Sequence, residues 1–267
     1  MNRLISLTSD FGIRDEYSSA VKAVILSIYP EAKIVDVTHV VPKYDIEKAA
    51  LVLRSAVKFF PSGSIHLAVV DPGVGSDRDI LIIETSSGKL LVGPDNGVLY
   101  PCAVNEGVSR IVKFRNPTYR LNQVSSTFHG RDIMAPIAAY LAKGVPIGEF
   151  GPETSDIVKL ELERLESEGS RITGYVLDID SYGNVVTSIP SSILADRKID
   201  LDSQLSVSAG KVEAKIFLRR TFSEGRDGEL ILLAGSKGLL EISINRGNAA
   251  RRLRIRKRSK VELNLNR

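Results

Sequence analysis

Strand-like and helix-like segments alternate through the first half of this chain, and that rhythm limits the fold more than any other feature. LISLTSDFG reads as a strand ending in a polar, glycine-containing loop, and YSSAVKAVILSIYP follows with the apolar spacing of a helix stopped by Pro30. AKIVDVTHVV reads as a second strand and YDIEKAALVLRSAVKFFP as a second helix ending before Pro61. GSIHLAVVDPGVG is a buried strand with polar residues just past its last valine. Such alternation places strands in a sheet covered by helices. DILIIETSSGKLLVGPDNG adds strands, with SSGK as a hairpin turn and PDNG as a tight turn. HGRDIMAPIAAYLAKG runs as a helix into a glycine stop, with Pro136 demanding a start after Ala135 or a kink.

The pattern then changes. LELERLESEGSR has the charge and glycine content of a connection, and beyond it come short β-like runs: RITGYVLDID, GNVVTSIP, QLSVSA, AKIFLRRTF, ELILLAGSKGLLEISIN and RRLRIR. The expected fold is α/β: an amino-terminal α/β sandwich-like domain over residues 1–165 and a smaller, all-β, barrel-like domain over residues 166–267.

With 43% hydrophobic and 25% charged residues the chain is too apolar for wholesale disorder. Cys102 is the only cysteine, which excludes an internal disulfide framework and a cysteine-rich zinc site and suits a reducing cytoplasm. No apolar stretch is long enough to span a membrane and no secretory signal opens the sequence, so a cytoplasmic location is expected. The net charge of +4 is local, because RRLRIRKRSK carries seven basic residues and no acid. That segment reads as an edge strand or solvated tail, with polyanion contact as its rival; nucleic acid is not an expected partner.

Polar groups gather at the expected strand ends: Asp10 in TSDFG, Asp71 in VVDPGVG, and Asp95 with Asn96 in GPDNG. Ligands of open α/β sheets bind beyond the carboxyl ends of strands, although each aspartate is equally suited to capping a turn. Neither a GxxxxGK[ST] loop nor a GxGxxG fingerprint is present, which disfavours ATP and NAD sites. His39, His66 and His129 are far apart in sequence and form no HExxH pair, so no metal is expected. His39 and His66 lie in apolar strands and read as packed side chains. His129 stands at a helix start beside Gly130, Arg131 and Asp132, and either caps that helix or takes part in chemistry.

The set LTSDFG, VVDPGVGSDR, GPDNG, TFHGRD, DSYGN and INRGNAA closely resembles the S-adenosyl-L-methionine hydroxide adenosyltransferase family and its halogenating relatives, the fluorinases and chlorinases. Each motif alone is weak, but the assembly spans nearly the whole chain. The resemblance implies hydrolysis of S-adenosyl-L-methionine to adenosine and L-methionine by attack of water or hydroxide at C5′, without metal or redox cofactor. It implies a homotrimer with active sites shared between subunits. Asp71, Arg78 and His129 match the family's water-activating set. Asp10 matches the ribose-binding carboxylate; Phe128, with Tyr17 and Tyr100 as rivals, is a candidate for aromatic packing on adenine, and Pro72 and Phe11 for the wall around the nucleoside. Asp180, with Asp178 as its rival, matches the ammonium site, and Asn184 the adenine site. Ser236 and Lys237 match the methionine carboxylate site, and Asn248 and Ala249 an adenine-contacting loop. Where the halogenases carry tyrosine and serine after the TF pair, this chain has His129 and Gly130, which favours water over halide. The competing function is a non-catalytic S-adenosyl-L-methionine or nucleoside sensor.

Overall fold

A computed structural model describes residues 4–265, and the chain divides into two compact units that meet in sequence between Glu161 and Leu162. The first contains, in order, β1 (Leu4–Ser9), α1 (Tyr17–Ile28), β2 (Lys33–Thr38), α2 (Ile46–Val57), β3 (Ile65–Val69), β4 (Ile80–Thr85), β5 (Leu90–Pro94), α3 (Tyr100–Glu106), β6 (Val108–Lys113) and α4 (Ala135–Ala142). The strands form one sheet in the order β2-β1-β3-β5-β4-β6. β1, β2, β3 and β5 run parallel, while β4 is antiparallel to both of its neighbours.

Strand alternation sorts the core onto two faces. Ile5, Leu7, Leu67, Val69, Ile80 and Ile82 face α1 and α4 in one cluster. Ala68, Val70, Leu81 and Ile83 face α2 and α3 in the other. Each fully buried aliphatic side chain contributes about 1.5–3 kcal/mol through apolar burial, so the strand sequence itself specifies a three-layer sandwich. The Asp45 side chain accepts from Lys48 N and caps α2, worth about 1 kcal/mol. SSGK turns the β4–β5 hairpin, with Gly88 at φ +77°. No helix among the described residues is long and apolar enough to cross a membrane.

The second unit contains β7 (Glu166–Glu168), β8 (Arg171–Ile179), β9 (Val185–Pro190), α5 (Ile193–Asp196), β10 (Gln204–Ala209), β11 (Val212–Leu218), β12 (Leu230–Ala234), β13 (Leu239–Ile244), α6 (Ala249–Leu253) and β14 (Lys260–Asn264). The order β14-β10-β11-β12-β13-β9-β8 closes on itself through the pairing of β14 with β8, leaving β7 as an appendage of β8. Ile172, Val176, Leu232, Leu240, Ile242, Val261 and Leu263 fill this barrel.

One expected strand is a helix. RRLRIR does not pair; its first residues belong to α6, whose Asn248 Oδ1 accepts from Arg251 N at 2.7 Å. Ala249, Ala250 and Leu253 are buried at helical spacing. Arg254 then turns left-handed at φ 54°, and pairing resumes only at Lys260.

Candidate active site

β1 leads through α1 to β2 on one side, whereas β3 lies on the other side of β1. The helices that follow β1 and β2 pack on opposite faces, so the sheet reverses its winding direction between β1 and β3. A crevice opens beyond the strand ends at such a point. Ser9 pairs in register with Val69, and Asp10 and Asp71 therefore leave the sheet at the same end.

The DPGVGSDR loop then folds back on itself. Val74 N donates to Asp71 O and Ser76 N to Gly73 O, while Gly75 adopts φ +80° against Ser126 O, where a Cβ would sit 2.5 Å away. This curl returns Arg78 to Asp71. Arg78 Nε lies 2.8 and 2.9 Å from the two Asp71 oxygens, and Nη2 also donates to Asp71 Oδ2. The same Nη2 is 3.1 Å from His129 Nδ1. A guanidinium has no acceptor, so His129 Nδ1 accepts and the neutral ring carries its proton on Nε2. Burial and then the Arg78 charge hold the imidazole below its ordinary value, against the opposing pull of Asp71 and Asp132.

His129 occupies the N-cap position of a wide π-helical turn, Gly130–Met134, but its side chain caps nothing. Its ring turns to Arg78 instead. The π turn runs directly into α4 with Pro136 in the first turn, where a missing N–H costs least. Gly130 packs against β3 so closely that a Cβ would meet Val69 Cγ1 at 2.8 Å. Asp132, fully buried, ties this segment down by accepting from Ser125 N and from Arg131.

A small cavity of about 80 Å3 is lined by Asp10, Phe11, Tyr44, Asp71, Phe128 and His129, among others. Asp10 is buried, and its Oδ2 accepts from Tyr44 N at 2.8 Å. Phe128 stacks edge-on to Phe11 and Tyr17, with centroids 5.6 and 5.3 Å away. His39 and His66 lie outside this cavity, buried and bonded to Ser9 and to Ser6 and Ser64, respectively. Among the described residues no cluster of three or more histidine, cysteine or acidic side chains could hold a metal ion.

The barrel unit has its own open cavity of about 820 Å3. Asp180, Asn184, Ser236, Lys237 and Asn248 line it, together with Tyr182, Phe222, Glu241 and Arg246. Asp180 organises the loop: Oδ1 accepts from Tyr182 N and Asn184 N, and Oδ2 from Asn184 Nδ2, each at 2.9 Å. Asp178 instead lies 3.8 Å from Lys237 Nζ. Gly183 leaves room for Asn248, whose Cγ and Nδ2 would lie 2.2 Å from a Cβ there. Ala249 is fully buried in the barrel core, at the start of α6 and outside the cavity lining.

Residues 5–151 match the model of the SAM hydroxide adenosyltransferase N-terminal domain, and residues 174–262 that of the C-terminal domain. The chain belongs to the SAM hydroxide adenosyltransferase family. Within it, the chain is similar to an (R)-S-adenosyl-L-methionine hydrolase of Salinispora tropica, 38% identical over 92% of both chains. A hydrolase of the same description from Methanocaldococcus jannaschii is 34% identical over 97% of this chain and 95% of its own. The crystal structure of a conserved protein from Thermotoga maritima superposes with a TM-score of 0.92 at 35% identity, covering 97% of this chain and 99% of the other. Fluorinases are related at 24 to 26% identity.

In this SAM hydroxide adenosyltransferase family member, the cavities are also lined by Tyr44, Tyr182, Phe222 and Glu241, which the motifs do not single out. Tyr44 offers no local signal, because only its left-handed backbone, φ 64°, brings its N–H to Asp10. Tyr182 stands inside the DSYGN motif and is 78% exposed at the rim of the cavity.

Proposed function

We propose that this protein hydrolyses S-adenosyl-L-methionine to adenosine and L-methionine by attack of water at C5′. The observation that carries this reading is the hydrogen-bonded set Asp71, Arg78 and His129 at the sheet's switch point, in a chain whose relatives bear that hydrolase name. As the C5′–O bond forms, the C5′–S bond breaks and sulfur leaves with the bonding pair as a neutral thioether. The leaving group therefore needs no acid, and the water's proton passes to solvent. The chain's task is in-line placement and polarisation of a water molecule.

Arg78 supplies positive charge to developing hydroxide character, and Asp71 fixes the guanidinium through both carboxylate oxygens. His129 orients the water. Its Nδ1 is taken by Arg78, so Nε2–H donates and the imidazole does not act as the proton acceptor in this arrangement. Asp10 holds the ribose hydroxyls and Phe128 walls the nucleoside. In the barrel unit, Asn184 and Asn248 face adenine, Asp180 faces the ammonium, and Ser236 and Lys237 face the carboxylate, whereas the buried Ala249 supports Asn248 from the core. The reading includes the homotrimer, with sites shared between subunits, and sedimentation in solution checks it.

Incubation with S-adenosyl-L-methionine in 18O-labelled water tests the whole. Equal amounts of methionine and of adenosine labelled at its 5′-hydroxyl are expected. Intact substrate after prolonged incubation with the assembled protein rules hydrolysis out, and tight binding without turnover favours a sensor.

A further inference from the structure

We infer that Glu241 is a specificity residue for the amino-acid portion of the substrate, supplying the charge that receives its α-ammonium in company with Asp180. The inference rests on the proposed reading of the barrel cavity as the amino-acid side of the site.

Glu241 lies on β13, in the middle of the barrel wall, paired with Leu233 on one side and Val186 on the other. Its neighbours Leu240 and Ile242 point into the core, so alternation turns Glu241 outward, where it joins the cavity lining. The AGSKG turn makes room for it: a Cβ on Gly235 would stand 3.1 Å from Glu241 Oε2 and 2.9 Å from Leu239 O. A glycine there lets the carboxylate lie close over the turn that carries Ser236 and Lys237.

Charge accounting separates Glu241 from Asp180. The Asp180 carboxylate already accepts three hydrogen bonds from its own loop, and its first duty is to hold Asn184 in place. Glu241 receives one long hydrogen bond, from Ser243 Oγ at 3.3 Å. Half-buried in the cavity wall, it is a carboxylate whose ionised form is under-compensated. Burial raises its carboxyl above the usual range; the Ser243 hydrogen bond opposes this, the nearby Asp180 adds to it, and Lys237 opposes it least. A primary ammonium, with three donors on one compact cation, relieves both acids at once. Lys237, 3.8 Å from Asp178, brings a positive charge to the same cavity for the substrate carboxylate. The cavity thus offers both negative and positive groups to a zwitterion.

The test compares two substrates in wild type and Glu241→Gln: S-adenosyl-L-methionine, and its analogue with hydrogen in place of the α-amino group. Glutamine keeps the size and the Ser243 contact while removing the charge. The KM for S-adenosyl-L-methionine is expected to rise roughly tenfold or more, the range of one charge-assisted hydrogen bond, with kcat within about twofold. The KM for the analogue should be the same in both proteins. Glu241→Asp, which retains charge with a shorter reach, should fall between them. An unchanged KM in Glu241→Gln, or equal weakening of both substrates, overturns the inference. Failure of wild type to hydrolyse S-adenosyl-L-methionine instead removes the function on which it rests.

Discussion

Arg78 Nη2 lies 3.1 Å from His129 Nδ1 while the same guanidinium spans both oxygens of Asp71. One planar cation thereby sets both the tautomer of the imidazole and the position of the carboxylate. Lysine cannot reproduce this, since a point charge on a flexible stem lacks the fork. Arg78→Lys is expected to fold with a near-normal melting temperature yet lose about 100-fold in kcat, in line with removal of an aligned electrostatic donor. Product formation under single-turnover conditions checks it, and a loss of less than about threefold contradicts the role given to Arg78.

The pH profile follows from His129. Its pKa is lowered, first by burial and then by Arg78, so the ring is neutral at neutral pH and gains a proton only below the ordinary histidine value. An imidazolium would turn a second N–H toward Arg78 and break the hydrogen bond. Hydrolysis should accordingly hold constant as pH falls to about 6.5, the unperturbed value, and decline below it. Arg78→Ala removes one lowering influence and should move the titration of His129 upward, followed through its imidazole ring protons by NMR. A wild-type limb centred above the ordinary histidine value is the contrary result.

Gly130 is required by space alone, its backbone conformation being an ordinary one. A Cβ would meet Val69 Cγ1 at 2.8 Å, and valine has little rotamer freedom with which to yield. Gly130→Ala is expected to cost about 1–3 kcal/mol by overpacking and to displace His129 from Arg78. Val69→Ala in the same chain should recover much of both the stability and the turnover. Chemical denaturation of the single and double variants decides, and strict additivity of the two changes would show that the residues do not meet.

His66 makes acid stability testable. Ser64 Oγ donates to Pro61 O, so it accepts from His66 Nε2, and Ser6 Oγ donates to Nδ1. The neutral ring is thus bonded at both nitrogens, and burial lowers its pKa to about 4 from 6.5. Above 6.5 the ring is neutral in folded and unfolded chains alike. Between 6.5 and about 4 the unfolded chain binds the proton first, so stability falls with pH, by about 3 kcal/mol when both values are passed. His66→Gln should be less stable at neutral pH but lose less between pH 7 and pH 4 in urea titrations. Parallel losses in both proteins contradict the assignment.

Two segments mark how far local pattern reaches. HGRDIMAPIAAYLAKG is legible as a helix with a problem at Pro136, but the π turn that resolves it comes from packing Gly130 on Val69 and burying Asp132. RRLRIR alternates like a strand. Joined to the two alanines before it, it places Ala249, Ala250 and Leu253 on one helical face, and the Asn248 cap together with barrel burial selects the helix. A pattern of few residues fits two periods, and only the surrounding core chooses between them.

The sequence alone determined the α/β and β-barrel classes, since the strand alternation and helical stripes are local and repeated many times over. It also carried the motif set that places the chain in its family. Tertiary structure decided that Arg78, 51 residues before His129, shares hydrogen bonds with it, and that Glu241 faces the same cavity as Asp180. Such meetings depend on loop curl and strand register over long separations, and no local preference encodes a distance between side chains remote in the chain.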